Sequence, residues 1–174
     1  MNENNIGEAE LIINPDGSIY HLHLKPGEIA EHIITVGDPG RVDEVSRHFD
    51  NIIHKSQYRE FVSHTGYLNN KKLTVISTGI GTDNIDIVMN ELDALVNIDF
   101  ETRQPKADLT QLQIIRMGTT GSLNEEIGVD EIVMSEISIG MGGLMHFYQF
   151  ENSIQETVYL EAFNSHIKPY FSGV

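Results

Sequence analysis

Three short runs in this chain each lead into a glycine turn: Ile33-Ile34-Thr35-Val36 into Gly37, Leu73 to Ser77 into Thr78-Gly79-Ile80-Gly81, and Gln113 to Arg116 into Gly118 and Gly121. Runs of four or five residues rich in β-branched side chains have the length of buried strands, and glycine ends them because it takes up sharp backbone conformations at no steric cost. After the first turn, Val42, Val45 and Phe49 fall at helical spacing within Arg41 to Phe49. After the second, Ile85, Val88, Met89, Leu92 and Leu95 make one apolar face, with Asp83 as the expected N-cap and Asp86 in the first turn. Strand, glycine turn and helix in succession predict an α/β fold on a mixed sheet. In such sheets ligands sit where strand ends and helix starts gather.

The remaining segments fill in around this frame. Phe61 to Leu68 and Leu73 to Ser77 flank the turn Asn69-Asn70-Lys71-Lys72 and read as an antiparallel pair. Ile19 to Leu24 alternates between two turn signals, Asn14-Pro15-Asp16-Gly17 and Lys25-Pro26-Gly27, and suits a short strand. Val129 to Ser135 reads as a further strand, residues 101–111 as a polar loop, Gly140-Met141-Gly142-Gly143 as a flexible loop, and His146 to Phe150 as an aromatic-rich segment. A chain of 174 residues, 40% of them hydrophobic, can bury a substantial core, and residues 1–174 are expected to form one domain.

Charge narrows the partner. With 26 Asp and Glu against 11 Lys and Arg, the net charge of −15 repels nucleic-acid backbones and anionic lipid, which leaves small molecules. There is no cysteine to supply a disulfide or thiolate site, and Met1-Asn2-Glu3-Asn4-Asn5 has no basic start or apolar run of a signal peptide. No apolar run reaches membrane-spanning length, so the expected location is the cytoplasm.

Against this acidity, most of the arginine lies in three short motifs: Gly37-Asp38-Pro39-Gly40-Arg41, Tyr58-Arg59-Glu60-Phe61 and Ile115-Arg116-Met117-Gly118-Thr119-Thr120-Gly121. A guanidinium fork matches phosphate oxygens, and glycine turns add backbone amides, so the pattern predicts a site for phosphate or a phosphorylated small molecule. Taken singly, Gly37 to Arg41 is equally a tight turn with a solvated arginine. Ser77 to Gly81 lacks the third glycine of a dinucleotide fingerprint. Arg116 is the strongest single candidate, because a charge at the end of a buried strand needs a ligand or an ion-pair partner. His21 and His23 are two apart and would face opposite sides of a strand, which does not make a metal pair; His146 suits packing. No Ser/His/Asp spacing suggests nucleophilic catalysis.

In order along the chain, Tyr20-His21-Leu22, Val36 to Val42, Arg59-Glu60-Phe61, Ser77 to Gly81 and Ile115 to Gly121 resemble the nucleoside phosphorylase superfamily, most closely its uridine phosphorylase branch. The resemblance implies an α/β fold with a central mixed, barrel-like sheet flanked by helices, and a homodimer or hexamer with shared active sites. It implies reversible phosphorolysis of a nucleoside to free base and ribose 1-phosphate, with Arg41 and Arg116 as the catalytic arginines. Phosphate would be held by Gly37, Arg41, Arg116, Gly118 and Thr119, with Arg59 reaching the neighbouring subunit's site. His21 would contact the ribose 5′-hydroxyl across the same interface, and Thr119 would also face the ribose. Glu60 matches a carboxylate that in some relatives holds a monovalent cation, and Asn84 replaces a serine at another ligand position. Phosphate is a co-substrate, and no cofactor is implied. Relatives continue well beyond the point matching Val174, through the base-recognising glutamine and arginine, a Glu-Met-Glu segment that grips the ribose, the last strands and a C-terminal helix. The resemblance is therefore to the N-terminal, phosphate-binding portion, truncated before the base site, and little phosphorolysis is expected of it alone. A nucleosidase using water, and an inert phosphate-binding or assembly subunit, are the alternatives.

Overall fold

The computed structural model describes residues 5–140 and 142–171; expectations touching Met1 to Asn4, Met141 and the end at Val174 lie outside the described residues. The chain divides into two compact units, Met1–Ile132 and Val133–Val174.

In the first unit the order is β1 (His32–Val36), α1 (Gly40–Ser46), β2 (Asn51–Tyr58), β3 (Phe61–Leu68), β4 (Lys71–Ser77), α2 (Thr82–Asn97), β5 (Ile98–Asp99), β6 (Gln104–Pro105) and β7 (Gln113–Met117). Five strands form one sheet in the order β2-β3-β4-β1-β7, and β5 and β6 form a separate small pair. β1 lies between β4 and β7 and is parallel to both, while β2, β3 and β4 are an antiparallel meander. The sheet is mixed, as the alternation of runs and glycine turns predicts.

The two faces of the sheet divide the core by strand alternation. Ile33, Phe61 and Ile76 pack with Val88, Leu92 and Leu95 of α2 and with Ile19, Leu22 and Leu24 of the N-terminal segment. Val36 and Val75, on the opposite face, pack with Val42 of α1. Successive strand residues point to opposite sides, so neighbours such as Val75 and Ile76 serve different layers. Leu92 and Val88 are fully buried, and burial of such side chains contributes roughly 1.5–3 kcal/mol each. α1 is also fixed by a buried polar contact of 2.8 Å between Ser46 Oγ and His64 Nδ1 on β3. Burial lowers the His64 pKa, Lys55 adds to the effect, and Asp43 opposes it.

Several expectations are corrected. The β3–β4 turn is the two-residue Asn69-Asn70, both at positive φ (50° and 64°), which is the signature of a type I′ hairpin; Lys71 and Lys72 already belong to β4. Asp83 does not cap α2: Gly81 holds that position, and Asp83 lies in the first turn. The first helix ends at Ser46, short of Phe49. Ile19 to Leu24 forms turns with one isolated bridge, Ile13 to Ile19, because its backbone bonds close locally, as in Ile19 N to Leu24 O at 2.8 Å. Val129 to Ser135 is not a strand; it has no ladder partner among the described residues. β2 was not foreseen, because its polar sequence, mostly exposed, is that of an edge strand. β7 is the other edge, and all five of its residues are exposed, so the expectation of a buried strand carrying Arg116 is overturned. β7 pairs on one side only, to β1.

The second unit contains a 3₁₀ turn, Leu144–Phe147, which includes His146, and the helix α3 (Ile154–Phe171). The sequence carried a start signal for α3 in Ser153-Ile154-Gln155-Glu156. Glu156 Oε2 accepts the Ser153 amide at 2.7 Å and Ser153 Oγ accepts the Glu156 amide at 3.2 Å, a reciprocal capping box. The Ser153 amide and then its hydroxyl hold the Glu156 carboxyl below its ordinary pKa.

Candidate active site

The three glycine turns meet at one edge because the three parallel strands lie side by side and in register. Val36 pairs with Ser77 on one flank and with Met117 on the other, so Gly37, Thr78 and Gly118 leave the sheet together. The Thr78 amide donates to Val36 O at 2.8 Å, fixing the second turn against the first.

Arg116 turns back across this edge. A Cβ built on Gly37 would stand 3.8 Å from Arg116 Nη2 and 3.7 Å from Gly79 O, and one on Gly118 only 2.5 Å from Arg116 Nη1. The guanidinium therefore lies over two glycines with no side chain in the way. Among the described residues, no carboxylate lies within ion-pairing distance of Arg41, Arg59 or Arg116. Arg41 is half-buried in the first turn of α1, and Thr119 follows Gly118 in an exposed loop. Asp38 Oδ1 accepts the Gly40 amide at 2.8 Å, so that amide is already used within the turn rather than presented to a ligand.

On the β4 side the site is built more tightly. Gly79 has φ 66°, and a Cβ there would stand 2.6 Å from Asn84 Nδ2 and 3.1 Å from Glu60 Cγ. Asn84 Nδ2 donates to Glu60 Oε1 at 3.0 Å. Buried Ser77 donates its hydroxyl to Glu60 O at 2.5 Å and accepts the Val62 amide at 2.7 Å, which ties the β2–β3 turn to the end of β4. No group of three or more His, Cys, Asp or Glu suited to a metal occurs among the described residues.

Arg59 and His21 belong to a second cluster. Arg59 occupies the two-residue β2–β3 turn at φ 53°, an uncommon conformation for a side-chain-bearing residue. Its guanidinium lies 5.3 Å from the Tyr58 ring centre and 6.0 Å from that of Tyr20. The Tyr58 hydroxyl, foremost, raises its pKa further, and it stays a cation. Tyr20 meets the His21 ring edge-on at 4.7 Å, and His23 stacks on Tyr58 at 3.7 Å. His21 and His23 thus sit in a turn, not on opposite faces of a strand, and the role of His23 is to pack. The sequence motifs include Tyr20, Tyr58 and Ser77 without giving them a role in these clusters, and Glu91 lies outside every motif. Glu91 left one sign: it is a carboxylate beside the apolar face Val88, Leu92 and Leu95, where it must find donors.

Residues 31–171 match the family model of the Phosphorylase superfamily. The chain belongs to this superfamily. It is 29% identical over 140 residues to the uridine phosphorylase of Thermococcus kodakarensis, a match covering 80% of this chain and 46% of that protein. It is 32% identical over 117 residues to the DeoD-type purine nucleoside phosphorylase of Streptococcus pneumoniae, covering 67% and 44%. Among solved structures, it is similar to the Trypanosoma brucei nucleoside phosphorylase described as showing uridine phosphorylase activity, with 42% identity and a TM-score of 0.62 over 68% of this chain and 41% of that one. The chain spans about half the length of the curated relatives it matches. The mixed sheet flanked by helices is of the nucleoside phosphorylase type, as the sequence resemblance implies. No helix among the described residues is long and apolar enough to cross a membrane.

Proposed function

We propose that this chain supplies the phosphate side of a nucleoside phosphorylase acting on a pyrimidine nucleoside, in which phosphate displaces the base from C1′. The observation that carries the reading is Arg116, which has no acidic partner among the described residues and lies over Gly37 and Gly118 where three parallel strands end. A guanidinium of this kind, beside backbone with no side chains, fits a tetrahedral oxyanion. The uridine phosphorylase relatives support the choice of base.

In this reading Gly37, Arg41, Arg116, Gly118 and Thr119 hold the phosphate. One phosphate oxygen forms the new bond to C1′ as the C1′–N bond breaks, and the base leaves with the electron pair. Positive charge develops on the ribose, and the phosphate dianion stabilises it while acting as nucleophile. The arginines contribute by holding the phosphate in line, which lowers the entropic part of the barrier. Arg59 and His21 are grouped around Tyr20, and no carboxylate among the described residues pairs with Arg59, which suits service to a neighbouring copy's site in a homodimer or larger assembly. The Glu60 carboxylate, already bonded to Asn84, is the group that a monovalent cation would meet.

The test is phosphate-dependent release of uracil from uridine, measured for this chain alone, where little is expected, and again after the C-terminal portion of a relative is added as a separate polypeptide. Release that rises with phosphate in the second case and is lost in Arg116→Ala supports the proposal. Release unaffected by phosphate points to a hydrolase, and phosphate binding without release in either case points to a binding subunit.

A further inference from the structure

Glu91 of α2 reaches into the turn that carries His21. Its carboxylate accepts the His21 amide at 3.0 and 3.1 Å and the Leu22 amide at 2.9 Å, and Oε1 stands 2.7 Å from His21 Nδ1. The contact is largely sheltered, with the Glu91 side chain 12% exposed and that of His21 27% exposed. Leu22 and Leu24 are buried on either side of His23, so the turn is anchored in the core independently of the Nδ1 contact.

An ionised carboxylate only accepts hydrogen bonds, so the imidazole nitrogen facing it must carry a proton. With Nδ1–H given to Glu91, the neutral ring keeps its lone pair on Nε2, for which no hydrogen bond is found among the described residues. The Tyr20 ring against the imidazole limits its rotation, which fixes where that lone pair points. We propose that Glu91 is the positioning residue for His21, holding it in the Nδ1–H tautomer so that Nε2 is left as the acceptor for the ribose hydroxyl that the family resemblance assigns to His21. The ligand half of this inference rests on the phosphorolysis reading; the tautomer half does not.

The experiment is long-range proton–nitrogen spectroscopy of the nitrogen-labelled full chain at neutral pH, with His21→Gln used to assign the ring. The expected spectrum has His21 protonated at Nδ1 and bare at Nε2. In Glu91→Gln, whose amide can either donate or accept, the tautomers are expected to mix while the fold, followed by the amide spectrum, is kept. A ring protonated at Nε2, or one unchanged in Glu91→Gln, overturns the positioning role. Adding uridine with phosphate is expected to shift the Nε2 resonance, and 5′-deoxyuridine with phosphate is not. Glu91→Gln is expected to weaken uridine binding by about three- to tenfold, the range for one neutral hydrogen bond, and to leave the 5′-deoxy compound unaffected. If the tautomer is as stated and uridine with phosphate binds without perturbing His21, the ribose assignment is overturned while the tautomer assignment stands. If both nucleosides bind but shift it equally, the hydroxyl is not what Nε2 meets.

Discussion

The two flanks of the candidate phosphate edge are constructed differently. At the end of β4, Gly79 is forced to be glycine by both its positive φ and its neighbours, while Ser77 and Asn84 tie Glu60 into place. At the end of β7, Gly118 has no such conformational demand, the strand is fully exposed, and the atom closest to an added Cβ is the tip of Arg116 itself. The first flank is held by the fold; the second holds only its own arginine. A rigid wall beside an adjustable cation suits a site that must keep an anion in register yet close on it. It also implies that substitutions on the two flanks should separate stability from binding.

The largest effect is expected on the rigid flank. Gly79→Ala should lower unfolding free energy by about 2–3 kcal/mol, combining a residue strained at positive φ with the displacement of Asn84. Urea denaturation measures it. A loss no greater than that of an ordinary surface substitution would show that this flank adjusts as readily as the other.

Arg116→Ala should weaken phosphate binding by more than about 1.5 kcal/mol, the lower range for a hydrogen bond to a charged group, with stability little changed because β7 is exposed. Calorimetry that finds the same phosphate affinity would remove Arg116 from the site. Arg59→Ala should reduce phosphate affinity less, by no more than about fivefold, since Arg59 is exposed and screened by solvent. Light scattering beside the titration decides the shared-site reading, because a monomer with full phosphate affinity has no need of a neighbour's arginine.

Smallest of all should be the stability change in Gly118→Ala, within about 0.5 kcal/mol, as the flexible end of Arg116 can move aside. Its phosphate affinity should nonetheless fall, since the guanidinium loses its place over the backbone. A large loss of stability there would abolish the contrast between the two flanks.

How much was legible beforehand follows from where each signal is written. The mixed α/β character, both helices of the first unit and the glycine turns that end three of the strands are encoded in local patterns: β-branched runs, helical spacing in Val88, Leu92 and Leu95, and glycine at strand ends. Those patterns act over a few residues, so they survive without knowledge of the fold. The sequence order of Arg41, Arg59 and Arg116 could not say which pair shares a cluster. Strand order decides that: β1 lies between β4 and β7, bringing Arg116 to Gly37, while the β2–β3 turn puts Arg59 against Tyr20.

Sequence alone also misjudged strand burial. An apolar run such as Gln113 to Met117 reads the same at the centre of a sheet or at its edge, and only the pairing partners distinguish the two. Ile19 to Leu24 alternates like a strand yet forms turns, because its backbone bonds close locally and Glu91, some seventy residues away, takes the His21 and Leu22 amides. The chain by itself determined which residues could bind an anion and which segments could be strands or helices, since those depend on side-chain chemistry and near-neighbour spacing. Which arginine meets which glycine, and which carboxylate holds the histidine, was decided only in the tertiary structure, where contacts between distant residues satisfy donors and acceptors that local sequence leaves open.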